Sequence, residues 1–277
     1  MTRAEALAEA TLRLKNAGVE TPALDAKLLL LGTESIESNS LIASPETPLE
    51  SQEKFDSAIA RRCLREPVSK ILGHRDFWKH RFIVNRDVLD PRPDTELLVE
   101  TALNLATEYP PKRILDMGTG SGCILLSLLS ELPDTTGIGT DVSVAALAVA
   151  KRNATALQLA DRVDFMISDW VSALDETFNL VVSNPPYISS TEDVTLLPEV
   201  IDWDPEAALF AGMDGLQAYR KIANGLSAVL KPDGTALFEI GFGQATSVKA
   251  IFESAGFSRI SSRFDMGGIE RCLIVQQ

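Results

Sequence analysis

Cysteine is scarce in this chain. Cys63, Cys123 and Cys272 are the only three in 277 residues; they lie far apart and form no C-x-x-C pair. That spacing argues against a disulfide framework or a zinc site, and leaves core-filling thiols in a reducing compartment, the cytoplasm, as the expectation. Long apolar runs are absent as well. A run such as LLLL at 28–31 is too short to span a bilayer, and the opening MTRAEALAEATLRLKNAG is broken by charges at regular intervals, so neither a membrane anchor nor a signal peptide is expected. Positive charge is in deficit, with 26 Lys+Arg against 39 Asp+Glu and a net charge of −13, which disfavours adherence to nucleic acid or to an anionic membrane. A monomer that uses no metal is expected. The sequence contains no internal repeat and no low-complexity segment.

What is present suffices for a large core. Hydrophobic residues make up 45% of a chain longer than one typical domain. Residues 1–73 read as short helices. Thr2 and Glu5 form a capping box, and Leu7, Ala10, Leu14 and Ala17 follow at helical spacing until Gly18. Thr21-Pro22 and Thr47-Pro48 each place a capping hydroxyl before a proline suited to the first helical position, and Phe55, Ile59 and Cys63 share one stripe. Residues 74–92 turn aromatic and β-branched, which suggests a hairpin linker. Within DPRPDTE, Asp94 or Thr95 would then cap the next helix.

From residue 93 to 277 strands alternate with helices. Strands are predicted at 113–118, 136–141, 163–168, 178–184, 235–240, near 259–264 and at 271–276. Alternation of this kind predicts an α/β domain whose mainly parallel sheet is covered on both faces, and the last two strands, with no helix between them, would pair antiparallel.

Three groups converge on the carboxyl ends of these strands. The run Gly118-Thr119-Gly120-Ser121-Gly122 lies between the first strand and a helix, where glycines let the backbone pass close under a ligand and the helix N-terminus offers free N–H groups. Asp141 ends the second strand, where a carboxylate can take both hydroxyls of a ribose. Asp169, beside Trp170, ends the third, where an acceptor and an aromatic can hold an adenine. Together they describe a nucleoside site. The spacing is G-x-G-x-G, whereas the dinucleotide fingerprint is G-x-G-x-x-G, so a nicotinamide oxidoreductase is the weaker reading.

The fourth strand delivers Asn184-Pro185-Pro186-Tyr187. An amide or exocyclic amine nitrogen is a poor nucleophile because its lone pair is delocalised. The side-chain oxygen of Asn184 and the carbonyl of Pro185 could accept the two N–H bonds of a planar NH₂ group and aim the nitrogen at an electrophilic methyl. Pro186 would fix the backbone, and Tyr187 would pack against the flat substrate group. No strong base is needed if the proton leaves after the nitrogen becomes cationic, which suits a chain whose two histidines, His74 and His80, lie outside the strand ends. The motif resembles the signature of amino methyltransferases that act on adenine N6 in nucleic acid, on glutamine side chains and on some other planar nitrogens.

The glycine loop resembles that of S-adenosylmethionine-dependent class I methyltransferases, which have a seven-stranded Rossmann-like domain. That resemblance implies a place near the methionine portion of the cofactor for Asp116. Further, EPVSKILGHRDFW, VLDPRPDTELLVE, ILDMGTGSGCILLSLL, SNPPYI, DPEAALFAGMDGLQAYRKI and DMGGIERCLIV occur in this order and together resemble the peptide chain release factor glutamine methyltransferases over nearly the whole chain. The resemblance implies a helical N-terminal substrate-recognition domain, a hairpin linker and a catalytic domain. The implied cofactor is S-adenosyl-L-methionine, with S-adenosyl-L-homocysteine as product, and the implied substrate is the glutamine of a Gly-Gly-Gln motif in release factors. It also assigns Gly118 to Gly122, Asp141, Asp169, Trp170 and Asn184 to the cofactor, and Asn184 to Tyr187 to the substrate. The chain departs from the family's usual residues at Asp90, which would set an acid near the substrate lip, and at Asp204.

Charge is unevenly spread. Residues 61–92 carry nine cations, Arg61, Arg62, Arg65, Lys70, Arg75, Lys79, Arg81, Arg86 and Arg92, against four acids. This local excess of +5 in an acidic protein is a candidate docking surface for a protein substrate.

Overall fold

The computed structural model describes residues 1–191 and 196–277. It divides into two compact units, one of residues 1–74 with 196–203, the other of residues 75–195 with 204–277. The division differs from the sequence expectation in two places: the hairpin groups with the larger unit, and an eight-residue segment from the second half of the chain groups with the N-terminal helices.

The smaller unit contains α1 (Arg3–Asn16), α2 (Pro22–Glu34), α3 (Ser38–Ala43), α4 (Gln52–Cys63) and α5 (Val68–Leu72), and its late segment adds α9 (Pro198–Ile201). The capping box of Thr2 and Glu5 forms, and Pro22 opens α2. The Thr21 hydroxyl donates to Asp25 instead of capping. Thr47-Pro48 starts no helix. The Thr47 carbonyl accepts from Arg3 N–H and Thr2 pairs with Pro48, so α4 begins only at Gln52, after the Glu34 carboxylate has taken the N–H groups of Glu50 and Ser51. The core is Leu14, Leu29, Leu30, Phe55 and Ile59, with Cys63 at its margin.

A two-stranded sheet of β1 (His74–Phe77) and β2 (His80–Ile83) follows, all but its first residue in the larger unit. Next come a 3₁₀ turn at Pro93–Thr95 and α6 (Glu96–Ala106), β3 (Arg113–Met117), α7 (Cys123–Glu131), β4 (Thr136–Asp141), α8 (Val144–Ala156) and β5 (Val163–Ile167). The rest of the unit is β6 (Phe178–Ser183), α10 (Gln217–Val229), β7 (Leu230–Glu239), α11 (Ala245–Ser254), β8 (Arg259–Phe264) and β9 (Glu270–Gln276). The seven-stranded sheet has the order β5-β4-β3-β6-β7-β9-β8. Its strands β3 to β7 are parallel, and β9 pairs antiparallel with both β7 and β8. β7 starts five residues earlier than predicted because Leu230 pairs with Phe178 before the register shifts and resumes at Thr235 opposite Leu180.

Neighbouring residues on each strand serve opposite faces, as the period of two requires. Ile114, Val182, Leu237 and Ile274 join a core with α6 and α7, while Leu115, Val181, Phe238 and Leu273 join a second core with Tyr219 and Ile222 of α10 and Phe252 of α11. Both faces are therefore covered, and the sheet presents its ends. The chain runs outward from β3 through β4 to β5, then returns to the other side of β3 for β6. That reversal leaves a crevice at the carboxyl ends of β3 and β6, where open sheets of this kind bind ligands.

Candidate active site

A cavity of about 570 Å³ occupies this crevice. Gly118, Gly120, Asp141, Asp169, Trp170, Asn184 and Pro186 line it together. The cavity thus unites the loop after β3, the end of β4, the segment after β5 and the stretch after β6.

The loop owes its course to positive φ angles of 70° at Gly118, 55° at Gly120 and 80° at Gly122, a region that strains other residues. Gly122 is the N-cap of α7, and the Thr119 N–H is tied to the Thr140 carbonyl at 2.8 Å. Asp141 holds the arrangement together. Its Oδ2 accepts from Gly120 N–H at 3.0 Å and its Oδ1 from Ser143 N–H at 2.9 Å at the start of α8. Each carboxylate oxygen can accept a second bond, so Asp141 can shape the loop and still receive hydroxyls. Trp170 sits in the left-handed region at φ 58°, and its ring lies over Gly118.

Asp169 lines the cavity, but its carboxylate is half exposed and ion-pairs with Lys221 of α10 at 3.1 Å. Asp116, Thr119, Ser121, Gly122, Pro185 and Tyr187 are not on the cavity wall. Asp116 is fully buried beneath the loop and accepts from the Thr119 hydroxyl at 2.7 Å. Loss of hydration raises its carboxyl to about 7, against the lowering pull of Thr119 and with a further push from the charge of Asp141. Tyr187 packs into the second core, where burial pushes its hydroxyl up to about 12. Its carbonyl accepts from Gln244 Nε2 at 2.9 Å, and a Cβ at Gly215 would collide with the same oxygen, so only glycine fits beside the proline turn.

Two neighbours of Asn184 escaped the sequence reading. Asn184 Nδ2 donates to Thr95 Oγ1 at 3.1 Å; Thr95 stands at the N-cap of α6, as expected, but its side chain makes no capping bond. Glu239, at the end of β7, is 4% exposed and lies close enough to Thr95 and Asn184 for both to lower its carboxyl. A lone acid inside the apolar TALFEI was the available signal. Asp87, Val88 and Leu89, together with Pro205, Ala207 and Phe210, complete much of the wall, also without individual sequence signals. Asp90 does not reach the lip: it is buried, and its N–H donates at 3.2 Å to Asp204 Oδ1, while Arg92 holds Oδ2 at 2.9 Å.

The expected docking cations are largely consumed within the molecule. Arg61 pairs with Glu66; Arg62, 5% exposed, joins Asp25 and Glu199; Arg65 joins Glu199; Lys79 and Arg81 pair with Glu131 and Asp76. Burial and pairing remove Arg61, Arg62 and Arg65 as a free basic face. Among the described residues there is no cluster of three or more His, Cys, Asp or Glu able to hold a metal, and no helix long and apolar enough to cross a membrane.

Comparison with known proteins agrees with this geometry. The profile of the methyltransferase small domain matches residues 76–207, and that of the PrmC N-terminal domain matches residues 5–73. A release factor glutamine methyltransferase of Cereibacter sphaeroides is 46% identical over 98% of this chain and 97% of its own length. The chain belongs to the release factor glutamine methyltransferase family. Another member, from Rhodospirillum rubrum, is 46% identical over 96% of this chain and 82% of its own length. At the level of the fold, the N-terminal domain of human METTL16 in complex with SAH aligns with a TM-score of 0.52 at 16% identity, over 95% of this chain and 93% of that one. The chain is thus an S-adenosylmethionine-dependent methyltransferase of the class I fold, with the seven-stranded sheet and the helical N-terminal region expected of the family.

Proposed function

We propose that this protein transfers a methyl group from S-adenosylmethionine to the side-chain amide nitrogen of the glutamine in the Gly-Gly-Gln motif of peptide chain release factors. One observation carries the reading: the glycine loop and Asp141 line the same cavity as Asn184 and Pro186. The residues fit the cofactor. The cavity lies within the size range of small-molecule sites, the loop brings backbone close to a ligand, and Asp141 retains acceptor capacity beyond its two internal bonds. When bound, S-adenosylmethionine supplies an electrophilic sulfonium methyl, and S-adenosylhomocysteine is the product.

The chain's own residues handle the nitrogen. Asn184 Oδ1 and the Pro185 carbonyl accept the two N–H bonds of the glutamine amide and draw its lone pair out of conjugation, so they favour the transition state over the ground state. Pro186 stiffens the turn, and Tyr187, anchored in the core, holds the backbone that carries these acceptors. Gly118, Gly120, Asp141 and Trp170 hold the cofactor, and Asp116 supports the loop from below. Asp169 contributes an adenine acceptor through the lone pairs that its ion pair with Lys221 leaves free. The helical unit serves substrate recognition, the protein acts as a monomer in the cytoplasm, and no metal takes part.

Methylation of adenine in nucleic acid is not favoured, given the relatives named for glutamine and the net charge of −13. The test is incubation with labelled S-adenosylmethionine, recombinant release factor and total RNA. Label in release factor, lost when the Gly-Gly-Gln glutamine is replaced, is the expected result; label in RNA alone refutes the reading.

A further inference from the structure

The register of the central sheet sets Asn184 beside Glu239. β6 and β7 pair in parallel with Ser183 opposite Phe238, so Asn184, just past the end of β6, follows at the level of Glu239, the last residue of β7. Glu239 is an expensive residue to bury there. It is 4% exposed, and its Oε2 has no hydrogen-bond partner among the described residues. Arg271 lies near enough to act on it electrostatically, yet the contacts of its guanidinium are with Asp265 at 3.5 Å and Asp94 at 3.8 Å. Thr95 and Asn184 lie close enough to lower its carboxyl, and Asn184 Nδ2 donates to Thr95 Oγ1 at 3.1 Å, which places all three groups together.

A carboxamide looks nearly the same to its neighbours after a half-turn, but its chemistry reverses, because NH₂ then faces the direction that oxygen faced before. For a site that must accept protons from a substrate NH₂, that half-turn is fatal. We propose that Glu239 and Thr95 are positioning residues that together occupy both N–H bonds of Asn184 and leave its Oδ1 as the group offered to the substrate amide. An ionised carboxylate only accepts, so Thr95 must donate its hydroxyl proton to Glu239, and its oxygen is then free to accept from Asn184 Nδ2 at 3.1 Å. The direction of every bond in the chain follows from the charge at its end. This inference rests on the proposed amide chemistry and adds what enforces it.

The arrangement carries a pH dependence. Burial raises the Glu239 carboxyl to about 7, against the lowering influence of Thr95, Arg271 and Asn184, with Asp94 adding to the rise. The other titratable groups coupled to it are Tyr187, Tyr219, Cys123 and its strand partner Cys272. Protonated Glu239 is a donor as well as an acceptor and no longer dictates the orientation of Asn184. Turnover should therefore fall as pH drops through the Glu239 transition.

The experiment compares wild type with Glu239→Gln, Thr95→Val and Thr95→Ser, all as full chains with melting temperatures recorded. Expected for Glu239→Gln is a loss of about tenfold or more in kcat at saturating substrates, cofactor affinity within about threefold of wild type, and disappearance of the acid limb of the kcat–pH profile. Thr95→Val should show a comparable loss, of which Thr95→Ser recovers most. A readout independent of turnover is the Asn184 side-chain NH₂ resonance of the unliganded protein, which should be protected from solvent exchange in wild type and not in Thr95→Val. Equal kcat and an unchanged acid limb in Glu239→Gln, or an unprotected Asn184 amide in wild type, overturns the proposal. Protected amide protons in a protein that does not label release factor would instead refute the proposed substrate and leave this positioning intact.

Discussion

Arg62 Nη2 lies 2.7 Å from Glu199 Oε1, a bond between residues 137 apart in sequence. Arg65 grips the same carboxylate with Nε at 2.8 Å and Nη2 at 2.7 Å, and Asp25 receives Arg62 Nε at 2.7 Å. Within the smaller unit, the late segment is therefore held to the helices by charge.

Glu199→Gln should lower the stability of that unit by about 2 to 3 kcal/mol, somewhat under the cost of breaking an isolated buried pair because Arg62 keeps Asp25. Burial alone would raise the Glu199 carboxyl, but the bonds from Arg65 and Arg62 outweigh it and hold it below its ordinary value. Its contribution is thus fully present above the ordinary glutamate range and lost as pH falls through the depressed folded value. Thermal melts of wild type and variant should differ at neutral pH and converge in acid. Identical melts at neutral pH would show that the pair contributes nothing.

Asp141→Ala should weaken cofactor binding about 10- to 100-fold, equivalent to about 1.5 to 3 kcal/mol. Two effects act together: loss of an acceptor for ribose hydroxyls, and release of the Gly120 and Ser143 N–H groups that fix the loop. Calorimetric titration with S-adenosylmethionine is the measurement. An unchanged dissociation constant removes Asp141 from the site.

Asp116 makes stability depend on pH in the opposite sense to Glu199. Its folded value of about 7 exceeds an unfolded value of about 3.9, so between the two the native state binds more protons and stability falls as pH rises, by up to about 1.4 kcal/mol per unit. Asp116→Asn should remove this share and flatten the decline, but not abolish it, since Glu239 has a folded value in the same range. Denaturant midpoints at about pH 5 and about pH 8 decide the matter, and equal slopes in wild type and variant would count against a raised folded value for Asp116.

The parts of the molecule legible in sequence are those decided by local pattern. Strands β3 to β6 fall within a residue of their predicted ends because short apolar runs bounded by turns have few alternatives. The misread parts depend on distant partners. Thr47-Pro48 has a good helix-start signature, yet pairing with Thr2 and Arg3 takes its backbone first. The run of arginines from 61 to 65 looks like a basic face until Glu66, Asp25 and Glu199 fold onto it. In the site, the glycine loop, Asp141 and Asn184 stand out because a glycine spacing, an acid at a strand end and a following proline pair mark them locally. Thr95 and Glu239 become meaningful only through the register of β6 with β7 and the bond from Asn184, neither of which leaves a local trace.

Asn184 itself gives the sharpest test of the proposed chemistry. Asn184→Ala should reduce kcat by at least about 100-fold, the scale for deleting one preorganised polar contact to a reacting group, while cofactor affinity stays within about tenfold. Asn184→Asp separates acceptor from donor. It restores an oxygen toward the cavity but removes both N–H groups, and it places a second carboxyl against Glu239, where two like charges in contact cannot both ionise easily. If only the acceptor mattered, Asn184→Asp would approach wild type. If the carboxamide must be held from behind, it should be as poor as the alanine variant near neutral pH. Single-turnover rates with saturating cofactor distinguish these outcomes, and wild-type rates in Asn184→Ala would refute a role for this side chain in presenting the substrate nitrogen.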